Sequence, residues 1–392
     1  MSIACAIFVG ACGPAPEAPR RGPRAAATSA RAPARPSSAP APRGACRAGE
    51  PRRLADAVSL PRAVAVATRP DGSGLVAFGA DDAHLATVAF PANGGEAAAP
   101  LSVPFPLADR LLSITTVGDA GFVAVAHGPC PAGATTPLCL SALALDATGE
   151  PVGEPLVLPV RARMERLRRH GSEASLFLAC SALEGPPWLD VLTRSREGLS
   201  HARVELGRRF DPGERQADVL YVTTHGESWA VLYRIGAIED PEGEVVLATE
   251  RGERALPALH DAAMIETAVF EREAFATVAT FEFGRPLAFR FDRLGRLVAA
   301  PAELGRGEAP PPPFLARLAA TLEDDGRSLS LRPRTAIGDD VGEPLPLASR
   351  ALPSPSAASV ARTPTGFVVA YAAAAERGAT AMLRSVECEA PP

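Results

Sequence analysis

The sequence predicts an all-β protein, built as a β-propeller of seven four-stranded blades behind a disordered N-terminal segment. Two observations lead to this prediction. Beyond residue 55 the chain is a series of short apolar runs separated by turn residues, with almost no helical periodicity. In addition, a phrase made of a polar turn and an apolar run recurs seven times, at about 49 residues per repeat.

The recurring phrase is clearest at residues 71–74, before the apolar run 75–78, and at residues 118–121, before the run 122–125. Weaker copies begin at residues 171, 225, 271, 324 and 363. A period near 40–50 residues with about four strands per unit is typical of propeller blades. We interpret each unit as strand A, a tight turn, strand B, a variable loop, strand C, a second tight turn and strand D. An array of β-sandwiches is the alternative.

Two further phrases recur at multiples of about the same repeat length. An Asp-x-x-Gly turn at residues 146–149 recurs at 292–295, about three repeats later. The string Val-Gly-Glu-Pro-Leu at residues 152–156 recurs at 341–345, about four repeats later. We expect both phrases to be in phase with the blades. The pattern resembles the broad class of bacterial propeller repeats over residues 51–392, without a WD40 or Kelch signature.

The two ends of the repeat region complement each other. The last copy ends after its strand C, near Cys388, and lacks a strand D, whereas the first copy is preceded by a spare strand-like run at residues 53–60. Pairing this run with the final blade would remove an exposed sheet edge. A disulfide between Cys46 and Cys388 would then fasten the closure.

Three other cysteines lie within the repeats. Cys130 and Cys139 bracket the B–C loop of the second blade, where facing hairpin positions lie within disulfide reach. We therefore predict a second disulfide between them. Cys180 lies inside an apolar run and is predicted to be a buried thiol.

The N-terminus carries an export signal in this interpretation. The short apolar run 3–11 is too short to span a bilayer but matches the apolar core of a secretory signal. The residues Val9, Gly10, Ala11 and Cys12 resemble the bacterial lipobox, although Met1 and Ser2 supply no positive charge. The resemblance implies a signal peptide at 1–11, fatty acylation (palmitate) of Cys12, and a lipid anchor as the only attachment to the membrane. Because Gly13 rather than Asp follows the cysteine, an outer-membrane lipoprotein of the cell envelope is expected.

Residues 12–50 are predicted to be a disordered tether, and residues 51–392 the propeller. The tether is rich in Pro, Ala, Ser, Gly and Arg and cannot bury enough apolar surface to fold. Extended, it could reach on the order of 100 Å. Its excess of Arg could contact anionic head groups, but a plain spacer is the preferred interpretation.

The composition of the chain excludes several classes of functional site. The chain has no Lys, and all 40 of its basic residues are Arg, which is typical of a GC-rich coding sequence. Without Lys a Walker A phosphate loop is impossible. The net charge of -5 gives no reason to expect nucleic acid as a partner. The six His are scattered singly, and no zinc helix or nucleophile elbow occurs, so no cofactor, metal site or catalytic residue is predicted.

The leading hypothesis is a binding module that recognises an envelope protein or a glycan through its B–C loops. Variable loops on a rigid scaffold are a common place for recognition. The candidate residues on these loops are Asp81, Asp82, Glu184, Trp188, Glu239 and Asp240. The alternative is a hydrolase acting on a glycan in the central tunnel, which would use carboxylates of the first strands such as Glu165, Asp218 and Glu266. A structural surface protein without a specific ligand is a third hypothesis.

Overall fold

The computed structural model describes residues 46–388 with internal gaps. The gaps are 59, 82, 93–94, 107–112, 119–120, 131–137, 161–163, 183–184, 208–215, 237–242, 261, 271–273, 282–286, 293, 299, 304–317, 325–327, 336–342, 349–357 and 375–378. The described residues belong to one compact unit, Arg43–Pro392. No helix within them has the length and apolar character needed to cross a membrane.

The described chain is almost entirely strand, with one short 3-10 turn at Pro257–Leu259. In chain order the strands are β1 (Cys46–Ala48), β2 (Arg52–Val58), β3 (Leu60–Thr68), β4 (Gly74–Gly79), β5 (His84–Phe90), β6 (Leu101–Pro104), β7 (Ser113–Val117), β8 (Gly121–Pro129), β9 (Leu138–Asp146), β10 (Pro151–Val160), β11 (Met164–Gly171), β12 (Ser175–Ala182), β13 (Trp188–Arg194), β14 (Leu199–Glu205), β15 (Gln216–His225), β16 (Ser228–Gly236), β17 (Glu244–Thr249), β18 (Gly252–Ala255), β19 (Ala262–Phe270), β20 (Ala274–Phe281), β21 (Leu287–Asp292), β22 (Ala302–Glu303), β23 (Leu318–Asp324), β24 (Leu329–Thr335), β25 (Leu345–Ala348), β26 (Ala358–Thr363), β27 (Gly366–Ala374) and β28 (Ala379–Cys388).

The strands form consecutive antiparallel sheets, most of them with four strands in simple up-and-down order. Within the residues described, these are sheet 1 (β3–β6), sheet 2 (β7–β10), sheet 3 (β11–β14), sheet 4 (β15–β18), sheet 5 (β19–β22), sheet 6 (β23–β25) and a closing sheet (β26–β28 with β1 and β2). The predicted all-β class and its four-stranded units are therefore confirmed. In sheets 1 to 5 the strand order A, B, C, D follows the sequence order.

The closing sheet joins the two ends of the repeat region. β28 pairs with β27 on one side, and on the other side with β1 over Cys46–Ala48 and with β2 over Arg52–Val58. Between these two strands the Gly49 N–H donates to the carbonyl of Ser385 at 2.8 Å, and Arg384 Nε donates to the carbonyl of Gly49 at 2.6 Å. The predicted pairing of the spare strand with the final sheet is confirmed.

Both predicted disulfides are present. Cys46 and Cys388 are directly paired in register and bonded to each other, and Cys130 is bonded to Cys139. Strand pairing thus begins at Cys46, ahead of the boundary at residue 51 that composition suggested, because the disulfide and the register hold this short segment on β28. Cys180 is a free, buried thiol, and burial raises its pKa well above the usual range.

The hydrophobic core is divided into clusters that lie between neighbouring sheets. Phe105 of sheet 1 packs with Phe122 and Leu145 of sheet 2, for example, and Phe177 of sheet 3 packs with Tyr233 of sheet 4. Further clusters join sheets 2 and 3, sheets 4 and 5, sheet 6 and the closing sheet, and the closing sheet and sheet 1. Every sheet therefore buries at least one face against a neighbour. Side chains alternate between the two faces of a strand, so one strand can supply two of these clusters.

The Asp-x-x-Gly turns have the same geometry in sheets 2 and 5. Asp146 Oδ1 accepts the N–H groups of Thr148 at 2.8 Å and Glu150 at 3.0 Å. Asp292 Oδ1 likewise accepts the N–H groups of the residues two and four positions further on, at 2.8 and 3.0 Å. Gly149 has φ +91°, and a Cβ there would lie 2.7 Å from Thr87 Oγ1 of sheet 1. This turn therefore requires Gly both for its backbone conformation and for close packing of the adjacent sheet.

The prediction that the Val-Gly-Glu-Pro-Leu phrase is in phase with the blades was wrong. Residues 152–156 lie on β10, the fourth strand of sheet 2, whereas Leu345 begins β25, which pairs with β24 as the third strand of sheet 6. The two copies are thus on different strands of the repeat. In a chain this rich in Gly, Pro and Glu, short strings of these residues recur without a shared position.

We expect the carboxylate of Asp146 to stabilise its turn in a pH-dependent way. Burial raises its pKa, but hydrogen bonds from Thr148, Glu150 and Gly149 outweigh burial, so the net shift is downward. The stabilisation is therefore complete above the unfolded pKa of about 3.9 and is lost as the pH falls through the lower folded pKa. Asp146→Ala should reduce the free energy of unfolding by about 1 kcal/mol at pH 7, measured by urea denaturation.

Asp146→Asn is the control, because it keeps an acceptor oxygen for the turn without the charge. The difference between wild type and Asp146→Ala should shrink when the urea series is repeated below pH 3. A difference that stays constant over this pH range would show that the charge on Asp146 contributes nothing.

Candidate functional site

The first strands of neighbouring sheets lie side by side and are joined by polar contacts. Thr116 Oγ1 on β7 donates to the carbonyl of Thr68 on β3 at 2.8 Å. Thr68 Oγ1 in turn donates to the carbonyl of Arg362 on β26, which links sheet 1 to the closing sheet. Between β11 and β15, His170 Nδ1 and Thr224 Oγ1 lie 2.9 Å apart. The Gly118 N–H donates to the carbonyl of Ser172 at 2.9 Å, which links sheet 2 to sheet 3. These strands thus form a continuous wall from the closing sheet through sheets 1 to 4.

A recess lies where the A–B turns of several sheets converge at the end of this wall. It is lined by residues of sheets 1, 2 and 3 and of the closing sheet and encloses about 1320 Å³, including space open to solvent. We call it the turn-face recess, and define it by Thr68, Arg69, Thr116, Ser172, Glu173 and Arg362. It lies on the A–B turn side of the sheets, opposite the B–C loops.

Several polar groups in the turns around the turn-face recess are held by the protein. Glu227 Oε1 accepts the hydroxyl of Ser172 at 2.9 Å and the N–H of Ala174 at 3.1 Å. Hydrogen bonds from Ser73, with a smaller contribution from Arg69, keep the pKa of Asp71 below its ordinary value. Arg362 is exposed. The hydroxyls of the rim are thus engaged within the protein, and the rim presents one positive charge, Arg362, and one negative charge, Glu173, to solvent.

Below the rim, β11 carries two consecutive arginines. Both Arg168 and Arg169 are accessible to solvent. Arg168 Nε donates to the carbonyl of Leu220 on β15 at 3.2 Å, whereas surrounding protein lowers the pKa of Arg169 by desolvation. A side chain that is both accessible and surrounded by protein lies in a recess or channel.

Arg169 was not predicted from the sequence because the abundance of Arg was attributed to coding bias. The signal available was two adjacent charges on a strand flanked by sheets on both sides.

Two clefts between neighbouring sheets open on the same side of the molecule. The first, of about 920 Å³, lies between the closing sheet and sheet 1 and has Phe90, Phe367 and Glu387 in its walls. The second, of about 690 Å³, lies between sheets 4 and 5 and is lined in part by Trp229 and Phe275. Both volumes include space open to solvent. Both clefts thus lie at a junction between two sheets and have an aromatic wall.

Most of the candidate residues on the B–C loops lie outside the part of the chain that the structure describes. Asp82, Glu184, Glu239 and Asp240 lie outside the described residues. Asp81 is exposed, and a hydrogen bond from the N–H of Ala83 and a contact with His84 hold its pKa below the ordinary value.

Trp188 was predicted to lie on an exposed loop, and this prediction was wrong. It starts β13, is only 7% exposed, and its indole N–H donates to Asp190 Oδ2 at 2.9 Å. The guanidinium of Arg203 lies over its ring, 5.3 Å from the centroid. The tryptophan therefore packs inside the sheet 2 and sheet 3 core, because an indole can be buried once its N–H has an acceptor.

Asp190 itself is a buried carboxylate with four polar contacts. Besides Trp188, it accepts two hydrogen bonds from Arg203, at 2.7 and 3.0 Å, and lies 2.8 Å from His201 Nε2. These partners lie on β13 and β14, so the cluster joins the two outer strands of sheet 3. Such a saturated carboxylate is suited to holding structure.

The carboxylates proposed for a tunnel hydrolase are not brought into one described constellation. Asp218 lies half-buried on β15, paired in register with Arg234 on β16. The side chains of Glu165 and Glu266 lie outside the described part of the structure. Among the described residues no group of three His, Cys, Asp or Glu could hold a metal ion.

Comparison with known proteins gives distant structural similarities only. No protein-family model and no curated protein matches the chain. A protein of unknown function from Dyadobacter fermentans is 10% identical, with 88% of this chain and 99% of that chain covered and a TM-score of 0.42. A PL25 ulvan lyase is 9% identical over 86% and 93% of the two chains (TM-score 0.41). The β-propeller domain of the Trilobed protease from Pyrococcus furiosus is 10% identical over 77% and 84% (TM-score 0.38). No functional residue is transferred from them, and the all-β fold stands on the strand pairing itself.

Proposed function

We propose that this protein is an exported, lipid-anchored binding module whose body is a closed seven-bladed β-propeller. The main support is the continuous wall of first strands, which runs from the closing sheet through sheets 1 to 4 and ends at the turn-face recess. In the proposal, sheets 5 and 6 complete the ring. A ring whose last blade contains strands from both ends of the chain leaves only short, protected strand edges.

The binding site in this proposal is the turn-face recess. Its rim consists of tight turns of four sheets that are hydrogen-bonded to one another, so little entropy would be lost when a ligand binds. The grooves between sheets, with their aromatic walls, open on the same side and could extend the contact to a larger partner such as an envelope protein or a glycan. The B–C loop face remains the competing surface.

The anchor is the part of the proposal that depends on the sequence alone. In this view residues 1–11 are removed, Cys12 is acylated, and the tether carries the body to the outer membrane. The disulfides of the body agree with export, because disulfides persist in oxidising compartments outside the cytoplasm. Since the tether enters the body at Cys46, the anchor would pull on the disulfide-linked closing sheet.

Charge reversal at the rim tests this function. A bait with Cys12→Ser, which lacks the lipid, is incubated with envelope extract with or without the additional change Arg362→Glu. We expect Arg362→Glu to lose most of the captured partner, because it inverts an exposed charge at the recess. Detergent-phase partitioning of wild type, but not of Cys12→Ser, is the accompanying check on the anchor.

The matched control is Arg196→Glu. Arg196 is also an exposed arginine on the same side of the molecule, in the C–D turn of sheet 3, but it does not line the recess. It should capture the partner as wild type does. Equal capture by all three baits would move the binding surface away from the recess, and Glu239 and Asp240 on the B–C loops would then be reversed in the same assay.

A further inference from the structure

We propose that the turn-face recess binds an oxyanion group, a carboxylate or phosphate of its ligand, through Arg169. This inference deepens the proposed binding function by naming the chemistry of the ligand, and it rests on that proposal. It is carried by the position of Arg169 and by the partners of the charged groups around it.

The strand register places Arg169 on the side of β11 that faces β7. Alternate residues of a strand lie on the same side, and Leu167 packs against the core between sheets 2 and 3. On the same side, a Cβ added to Gly171 would lie 2.2 Å from the carbonyl oxygen of Thr116, so β7 and β11 are in close contact there. Arg169 lies between these two positions and therefore points toward the wall formed with β7.

Arg169 also lies within reach of the recess. Ser172, three residues further along the chain, is one of the residues that line it. At about 3.3 Å per residue of strand, Arg169 is roughly 10 Å below the rim. An extended Arg side chain from this depth can meet a ligand group that enters from the recess.

Several neighbouring polar groups are used elsewhere and Glu173 lies exposed at the rim, whereas Arg169 has no carboxylate partner within the described structure. Arg168 and His170, on the opposite side of β11, contact Leu220 and Thr224 of sheet 4. Glu227 is occupied by Ser172 and Ala174. A guanidinium that is desolvated by surrounding protein and lacks a counter-ion is costly, and an anion bound beside it would offset that cost.

Arg169 is distinguished by its surroundings and not by the abundance of Arg in this chain. Exposed arginines on the outer turns, such as Arg196, sit in bulk solvent where charge costs little. Arg169 differs because it lies on a first strand, on the side that faces β7, and surrounding protein lowers its pKa although the side chain is accessible. Carboxylates and phosphates are the groups that the planar guanidinium binds best, through paired hydrogen bonds.

The test is a calorimetric titration of the full-length chain in detergent, with inorganic phosphate in one arm and acetate in the other. We expect at least one of these anions to bind, and the arms identify which oxyanion is preferred. Arg169→Gln should weaken that binding by about tenfold or more, the loss expected for a charge-assisted contact. Arg169→Lys should retain part of the affinity, and Arg196→Gln all of it.

Absence of binding by wild type in both arms, or equal affinity of wild type and Arg169→Gln, would overturn the inference. These results are separable from failure of the proposed function. If Arg362→Glu still abolishes capture from envelope extract while no oxyanion binds, the recess is a binding site but Arg169 does not define its ligand.

Discussion

Replacing Asp190 with Ala is expected to lower the free energy of unfolding by about 3–5 kcal/mol, the cost of breaking a buried ion pair by removing one partner. The side chain of Asp190 is 3% exposed and that of Arg203 is 20% exposed, so the arginine would be left in the interior without its counter-charge. The indole N–H of Trp188 would lose its acceptor as well. Chemical denaturation at pH 7, monitored by tryptophan fluorescence, measures the effect.

The double variant Asp190→Leu with Arg203→Leu separates charge pairing from packing. Replacing both members of a buried pair by apolar residues is often close to neutral, so the double variant should be more stable than Asp190→Ala alone. If the double variant is at least as unstable as Asp190→Ala, the cluster acts mainly through its shape and through the Trp188 contact.

Removing the disulfide of the closing sheet is expected to have the other large effect. Cys46 and Cys388 are separated by 342 residues, so the bond restricts almost the whole body of the unfolded chain. Changing both residues to Ser should cost about 5 kcal/mol of stability, near the upper end for a disulfide, because the closed loop is so long. The same variant should free the short strand β1, which among the described strands pairs with β28 alone, and hydrogen exchange at Arg47 and Ala48 should speed up.

The second disulfide is the matched control. Cys130 and Cys139 are separated by only 9 residues, and loop-closure entropy grows with the logarithm of loop length. On this basis the closing disulfide should stabilise the fold by about 3 kcal/mol more than the short one. Equal losses on removing either bond would contradict an entropic origin and indicate that local strand contacts dominate.

Much of the fold could be predicted from the sequence because its signals are local or repeated. The turn at Asp146 and its counterpart at Asp292 have the same hydrogen bonds because the same residue types recur at the same spacing. The closing strand could be predicted because one end of the repeat lacked a strand that the other end had spare. The Val-Gly-Glu-Pro-Leu phrase failed as a marker, since common residues in a biased composition recur without structural meaning.

The candidate site was predicted less well than the fold. The loop hypothesis placed Trp188 at an exposed position, but Asp190 two residues further on, with Arg203 from the next strand, makes a buried place for its ring. The turn-face recess was not predicted at all, because its residues come from four sheets that are far apart in sequence.

The sequence by itself determined the strand-rich class, the repeat length, the pairing of the first strand with the last sheet, and both disulfides. Each of these depends on spacing along the chain, which is visible without coordinates. Only the tertiary structure decided which charges are compensated: Asp190 is saturated chiefly by partners on the adjacent strand, whereas Arg169 has no carboxylate partner among the described residues. The physical reason is that solvation and charge pairing depend on distances between sheets, and these distances are set by packing.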